Sequence, residues 1–278
     1  MPVITCPVCD SSDLDGVDRL ADGRLVVRCL VCDHEWIRGE SRPVPQAPVA
    51  TTYESLKVAF PKADDVRPEA RERVTRLIED FLEKTPHLDP RVLPYRAKYQ
   101  AVFSADGLPD ADPEDLKAFA NNSVIAHPGN MSVFNEAWNA MGADKAAARL
   151  RTIIEYLLRG PEGTRLEDRF TELVEGRKGL GMTGFKESLL TRVLCVVEPD
   201  RFLPMLKYTT PSGGKKEIAS LVYGLDLPSR EKVSWTIGRL VTWSNDLLVE
   251  LLDDTFADLS HAADFLWWAK DRPAEASA

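Results

Sequence analysis

No stretch of the 278-residue chain approaches the roughly 18 apolar residues a membrane helix needs. The amino terminus, MPVITCPVCD, has neither the basic stretch nor the apolar core of a signal peptide. A cytoplasmic protein without membrane contact is expected. Histidine is scarce: His34, His87 and His127 fall in loop-like contexts, His261 falls in the last helical stretch, and none has an evident catalytic partner. The motifs HExxH and GxSxG are missing, which removes zincin proteolysis and nucleophile-elbow hydrolysis. There is no HNH-like histidine cluster either. Pro109, Asp110, Asp115 and Lys117 stand too close together for a PD-(D/E)xK nuclease site, and they sit on a loop and helix start. No catalytic role is expected. A basic surplus is also lacking, since the net charge is −9. A broad basic face that wraps nucleic acid is therefore excluded, and any phosphate contact has to be local.

Cysteine is sparse, and four of the five form two pairs, Cys6-x2-Cys9 and Cys29-x2-Cys32, separated by 19 residues. A CxxC turn sets two thiolates on one side of a tight knuckle, and two knuckles together make the tetrahedral site that zinc prefers. Cys6, Cys9, Cys29 and Cys32 are the expected Zn2+ ligands. Four protein ligands leave no open position, so the metal is structural. Trp36 is expected to cover the small ribbon core. Residues 1–40 read as this β zinc ribbon. The first 42 residues carry eight acidic residues against five arginines, a balance of −3 that suits a protein contact better than a phosphate one.

Residues 41–53, with Pro43, Pro45 and Pro48, read as an extended linker. Apolar residues at helical spacing then run almost to the end, with no alternating strand pattern. Pro68 marks a first turn; Leu150, Ile153, Ile154, Leu157 and Leu158 make a stripe that Gly160-Pro161 ends. The expected fold is mainly α: the ribbon, the linker, an all-α domain over 54–272 and a frayed tail at 273–278. Trp235, Trp243, Trp267 and Trp268 recur among aliphatics and are expected in the core, as is Cys195.

One segment departs from the acidic background. Residues 177–216 hold eight basic residues against three acidic ones, a local +5, whereas the stretch from Asp246 to Arg272 stands at −5. Gly179, Gly181 and Gly184 match GxGxxG formally, but the preceding LEDRFTELVEGRK reads as a helix, so the dinucleotide reading lacks its strand. A helix-hairpin-helix-like turn fits better, its amides and the following helix start turned toward a phosphate; a plain connection between two packed helices is the simpler alternative. On the first reading Arg177, Lys178, Gly179, Gly181, Gly184, Lys186, Lys207, Lys215 and Lys216 are the candidate nucleic-acid contacts.

The pattern CPVC…RCLVCDHEW resembles the bacterial zinc-ribbon family over about the first 40 residues. FNEAWNAMG, IIEYLLRG, GLGMTGFKESLL, EPDRFLPM and the terminal FLWWA are similar to the helical regions before the motor of McrB-like AAA+ restriction ATPases. That family's motor carries Walker motifs and this chain has none, so the resemblance implies a recognition or assembly module beside a separate motor or nuclease subunit. The expected function is double-stranded DNA binding or target recognition in a bacterial defence or DNA-processing complex. The alternative is a zinc-ribbon protein-interaction adaptor without nucleic-acid contact.

Overall fold

The structure, a computed structural model, describes residues 4–6, 12–20, 23–30, 35–38, 57–58, 60–210, 213–230 and 236–272. The chain divides into a unit over 1–52 and a unit over 53–278. All of the expected linker and all of the expected tail lie outside the described residues.

In the first unit β1 (Leu14–Arg19), β2 (Leu25–Cys29) and β3 (Glu35–Ile37) form an antiparallel sheet in the order β1-β2-β3. Leu25-Val26-Val27 supplies the β-branched run that suits a central strand. A bulge between Gly16 and Asp18 shifts the β1–β2 register, and Gly23, at φ +87°, makes the reversal between them. Val27 and Cys29 are buried on one face of β2, and Trp36 of β3 stands opposite Val27.

The second unit holds ten α-helices among its described residues, as the mainly α expectation has it. They are α1 (Pro68–Lys84), α2 (Val92–Val102), α3 (Pro113–Asn121), α4 (Ser132–Met141), α5 (Ala143–Arg159), α6 (Leu166–Glu175), α7 (Glu187–Val197), α8 (Lys215–Tyr223), α9 (Ile237–Leu252) and α10 (Leu259–Lys270). Local chemistry sets their starts. Prolines occupy the first turns of α1 and α3, where no amide is missed. Asp112 caps α3 by accepting from the Glu114 N–H at 2.7 Å, and Asp258 caps α10 through Ser260 N–H at 2.7 Å. α5 buries Ala146, Ala147, Leu150, Ile153, Ile154 and Leu157, one stripe of a two-faced helix.

α9 is the centre of the unit. It is buried nearly all round, from Ile237 through Leu252, as a helix enclosed by others must be. It crosses α6 so closely that a Cβ on Gly238 would fall 1.9 Å from the Glu167 carbonyl oxygen. Asn245 of α9 accepts from Leu203 N–H at 3.0 Å and donates to Arg201 O at 2.7 Å, which pins the irregular chain after α7. Trp243 lies in the core at 5% exposure, Trp267 and Trp268 pack partly buried against it, and Trp235 lies outside the described residues. Cys195 is buried, its thiol donating to Leu203 O at 3.2 Å, and burial pushes its pKa up to about 12.

Candidate functional site

Of the four expected metal ligands, Cys6 and Cys29 are fully buried, while Cys9 and Cys32 lie outside the described residues. Cys29 ends β2 on the face that carries Val27. Among the described residues of the ribbon unit, Cys6, Val27 and Cys29 are the buried hydrophobic ones. Cys6 and Cys29 are buried thiols, the donor type a structural zinc site would use, and such a site would supply folding energy directly.

The glycine segment joins α6 to α7. α6 stops at Gly176, which adopts φ +70°, and a 3-10 turn, Arg177–Gly179, follows. Lys178 has φ +55°, the single non-glycine with positive φ among the described residues. Met182 and Phe185 then form a β-bridge before α7 begins at Glu187. A Cβ on Gly184 would lie 2.4 Å from the backbone of Phe134 in α4, and one on Gly181 would lie 2.8 Å from the Gly176 Cα. These two positions need glycine for close packing of the protein on itself. A Cβ on Gly179, by contrast, would meet nothing within 4 Å, and the Gly179 carbonyl accepts from Arg149 at 2.6 Å.

The basic residues of 177–216 divide between interior, paired and exposed positions, and the expectation that Lys215 meets a phosphate is corrected. Lys215 has no exposure at all; its ammonium donates to Val241 O at 3.2 Å, and burial lowers its pKa to about 8. It cannot reach a phosphate, because its place at the first position of α8 turns it toward α9. Arg192, part of the same charge count, is equally buried; it donates to Ala120 O and Asn122 O and faces the Tyr95 and Phe119 rings. The Lys186 ammonium donates to Val174 O at 2.7 Å, in the last turn of α6. Lys178 pairs with Glu172 at 2.7 Å, Arg177 with Glu175 at 2.5 Å, Arg201 with Glu198 at 3.2 Å and Lys216 with Asp226 at 2.9 Å. Lys207 is exposed, and its charge acts on Glu187 behind it. Burial raises the Glu187 carboxyl pKa, although the Tyr208 N–H donates to it at 2.6 Å and the cations of Lys207, Lys215 and Arg230 pull the other way.

Instead the second unit carries a cleft of about 700 Å³. One wall is the irregular chain of residues 123–130, the other is Pro204–Lys207 with Thr210, Gly213 and Gly214, and α10 contributes Ala263, Asp264 and Trp267. Val124, Ala126 and Trp267, each partly exposed, give it apolar surface. Among the described residues no hydrogen bond engages the main-chain groups of Ile125, Ala126 and His127, apart from the His127 ring, which accepts from Gly129 N–H at 3.1 Å. Asp264 is exposed by area yet lies among enough protein atoms for desolvation to raise its carboxyl pKa. His261 opposes that rise, and the like charges of Asp89 and Asp258 add to it. Concave, largely apolar sites with a few converging polar groups are where ligands bind.

Sequence reasoning named Lys207 but missed Asp264 and Trp267. The available signal was a carboxylate and an aromatic three residues apart on the last helix, which places them on one face. The chain matches no family model, no curated protein and no solved structure.

Proposed function

We propose that the protein is a recognition adaptor: a helical unit that takes a partner protein in the cleft between residues 123–130, 204–207 with Thr210, Gly213 and Gly214, and α10, alongside a zinc-stabilised ribbon. The observation that carries this reading is the fate of the basic segment. Lys215 and Arg192 are interior, Lys186 is committed to a helix-end carbonyl, and Lys178, Arg177, Arg201 and Lys216 each face a carboxylate. A phosphate backbone is bound by cations that release counterions, and a cation paired with a carboxylate has to give up that partner first. The balance of −3 in the ribbon region points the same way. The resemblance to McrB-like ATPases makes a separate motor subunit the first partner to try.

The test is a titration of a labelled 20-base-pair duplex with the full chain at 50 mM and 200 mM salt. The adaptor reading expects no saturable binding at either salt. Binding at low salt that weakens with a log–log slope of about −4 or steeper would restore DNA recognition and reject the adaptor.

A further inference from the structure

The cleft is more specific in its chemistry than its apolar floor suggests. Its two walls are chain without helix or strand, and they present main-chain groups rather than side chains alone. Ile125, Ala126 and His127 on one side, and the N–H groups of Leu206 and Lys207 on the other, have no hydrogen-bond partner among the described residues. An extended segment of another chain satisfies such groups, as in recognition by strand addition.

The charges inside the cleft are unequally compensated. Lys207 has the buried Glu187 carboxyl behind it, and Lys270, beside the cleft, has Asp271 at 3.7 Å. Asp264 has no hydrogen bond and no ion pair among the described residues. Desolvation disfavours its charged form, His261 opposes that, and the carboxylates of Asp89 and Asp258 add to it. A ligand cation is what such a carboxylate lacks. Three residues along α10, Trp267 offers its ring on the same face, and the Lys270 ammonium lies 4.8 Å from that ring's centre, so an ammonium is already accommodated against this indole from within the chain.

We propose that the cleft is a docking groove for a segment of a partner protein, with a lysine or arginine side chain of that segment seated at Asp264 and Trp267 and its main chain held by residues 125–127 and 206–207. The proposal rests on the adaptor reading and names the chemistry of its partner. Lysine and arginine suit the site because each carries an apolar stem for the partly exposed Val124, Ala126 and Trp267 and a cationic head for the carboxylate.

The experiment pans a phage-displayed library of random nonapeptides against the full chain. Recovered peptides are expected to share one basic position, flanked by apolar residues. The synthetic form of a recovered peptide should bind Asp264→Asn at least tenfold more weakly than wild type, with a similar loss in Trp267→Ala. Glu250→Gln, an exposed carboxylate of α9 outside the cleft, should bind as wild type does. Replacing the basic residue of the peptide with norleucine should cost as much as Asp264→Asn, and the two losses should not add. n-Butylammonium, the small-molecule arm, should bind at least a hundredfold more weakly than the peptide, because it lacks a main chain. No enrichment, enrichment of acidic or purely apolar sequences, or equal binding by Asp264→Asn would overturn the proposal. So would butylammonium binding as tightly as the peptide, which would make the ligand a small amine. These outcomes leave the adaptor reading standing, whereas salt-dependent duplex binding in the titration above would remove both.

Discussion

Among the described residues, seven arginines of the helical unit direct their guanidinium groups to carbonyl oxygens. Arg151 donates to Ala111, Arg159 to Phe103, Arg192 to Ala120 and Asn122, Arg73 to Leu221 and Val222, Arg71 to Ala63 and Val66, Arg149 to Gly179, and Arg272 to Trp268. Several of these oxygens sit in or just beyond the last turn of a helix, where the backbone leaves acceptors without an internal donor. Lys186 does the same at Val174. A count of basic residues along the chain cannot separate a cation that faces water from one that closes a helix end, and the +5 segment misled for that reason. Lys215 is the extreme case, a lysine in the interior whose burial lowers its pKa to about 8, with Cys195 and Glu187 partly opposing the shift. Between pH 8 and the ordinary lysine value near 10.5, the unfolded chain still holds a proton that the folded state has released, so stability climbs with pH across that window. Below pH 8 the buried charge is a standing cost. Lys215→Met is therefore expected to raise stability at pH 7 by about 2 kcal/mol, and the gain should shrink as the pH rises past 8. Thermal unfolding of both proteins at pH 7 and pH 9.5, followed by circular dichroism, checks this; an equal or larger gain at pH 9.5 would contradict it.

Among the elements, α10 starts at a polar knot. Arg96 of α2 reaches Asp258 through two hydrogen bonds, at 2.7 and 3.0 Å, and Ser260 Oγ at 2.9 Å, while Asp258 also caps α10. Burial would raise the Asp258 carboxyl pKa, but the hydrogen bonds from Arg96 and Ser260 outweigh it and hold the group below the usual carboxylate value. The stability it contributes is present above the ordinary pKa and is lost as pH falls through that value toward the folded one. Asp258→Ala leaves the Arg96 charge buried without its partner and should cost about 3 kcal/mol at pH 7, with the difference from wild type narrowing below pH 4. Urea unfolding at pH 7 and pH 3 reads both numbers. The glycine segment gives a second test at this scale. Gly184→Ala places a Cβ against the Phe134 backbone at positive φ and is expected to cost about 3 kcal/mol or more. Gly179→Ala meets open space and should cost only about 1 kcal/mol, from its left-handed backbone. Equal costs would mean that the close approach to α4 is not what requires glycine at 184.

At the scale of the whole molecule, the helical class and most of the stripes were legible in the sequence. Period-3.6 spacing in α5, with Leu150, Ile153, Ile154 and Leu157 buried, reports directly which face meets the core. The β-branched run before Cys29 marked the sheet in the same way. What stayed hidden was the cleft. It is built from three parts of the chain far apart in sequence: the 123–130 loop, residues 204–207 with Thr210, Gly213 and Gly214, and one face of α10. No periodicity links them, because irregular chain carries none. Asp264 and Trp267 looked like one more acid and one more core aromatic until the fold set them at its edge. The position of Lys215 was hidden too, since a charged residue next to two glycines reads as surface until a neighbouring helix encloses it.

The claim that the basic segment is built into the protein rather than presented to a phosphate can be measured lysine by lysine. The native chain, treated briefly with an amine-acetylating reagent at pH 7.5 and read by peptide mass spectrometry, reports how openly each ammonium meets solvent. Lys207, exposed at the cleft, is expected to react fastest of the segment. Lys215 is expected to remain unmodified until the protein unfolds, and Lys186, held at Val174 O, to lag well behind Lys207. Acetylation of Lys215 and Lys186 in the folded protein at the rate of Lys207 would contradict the account.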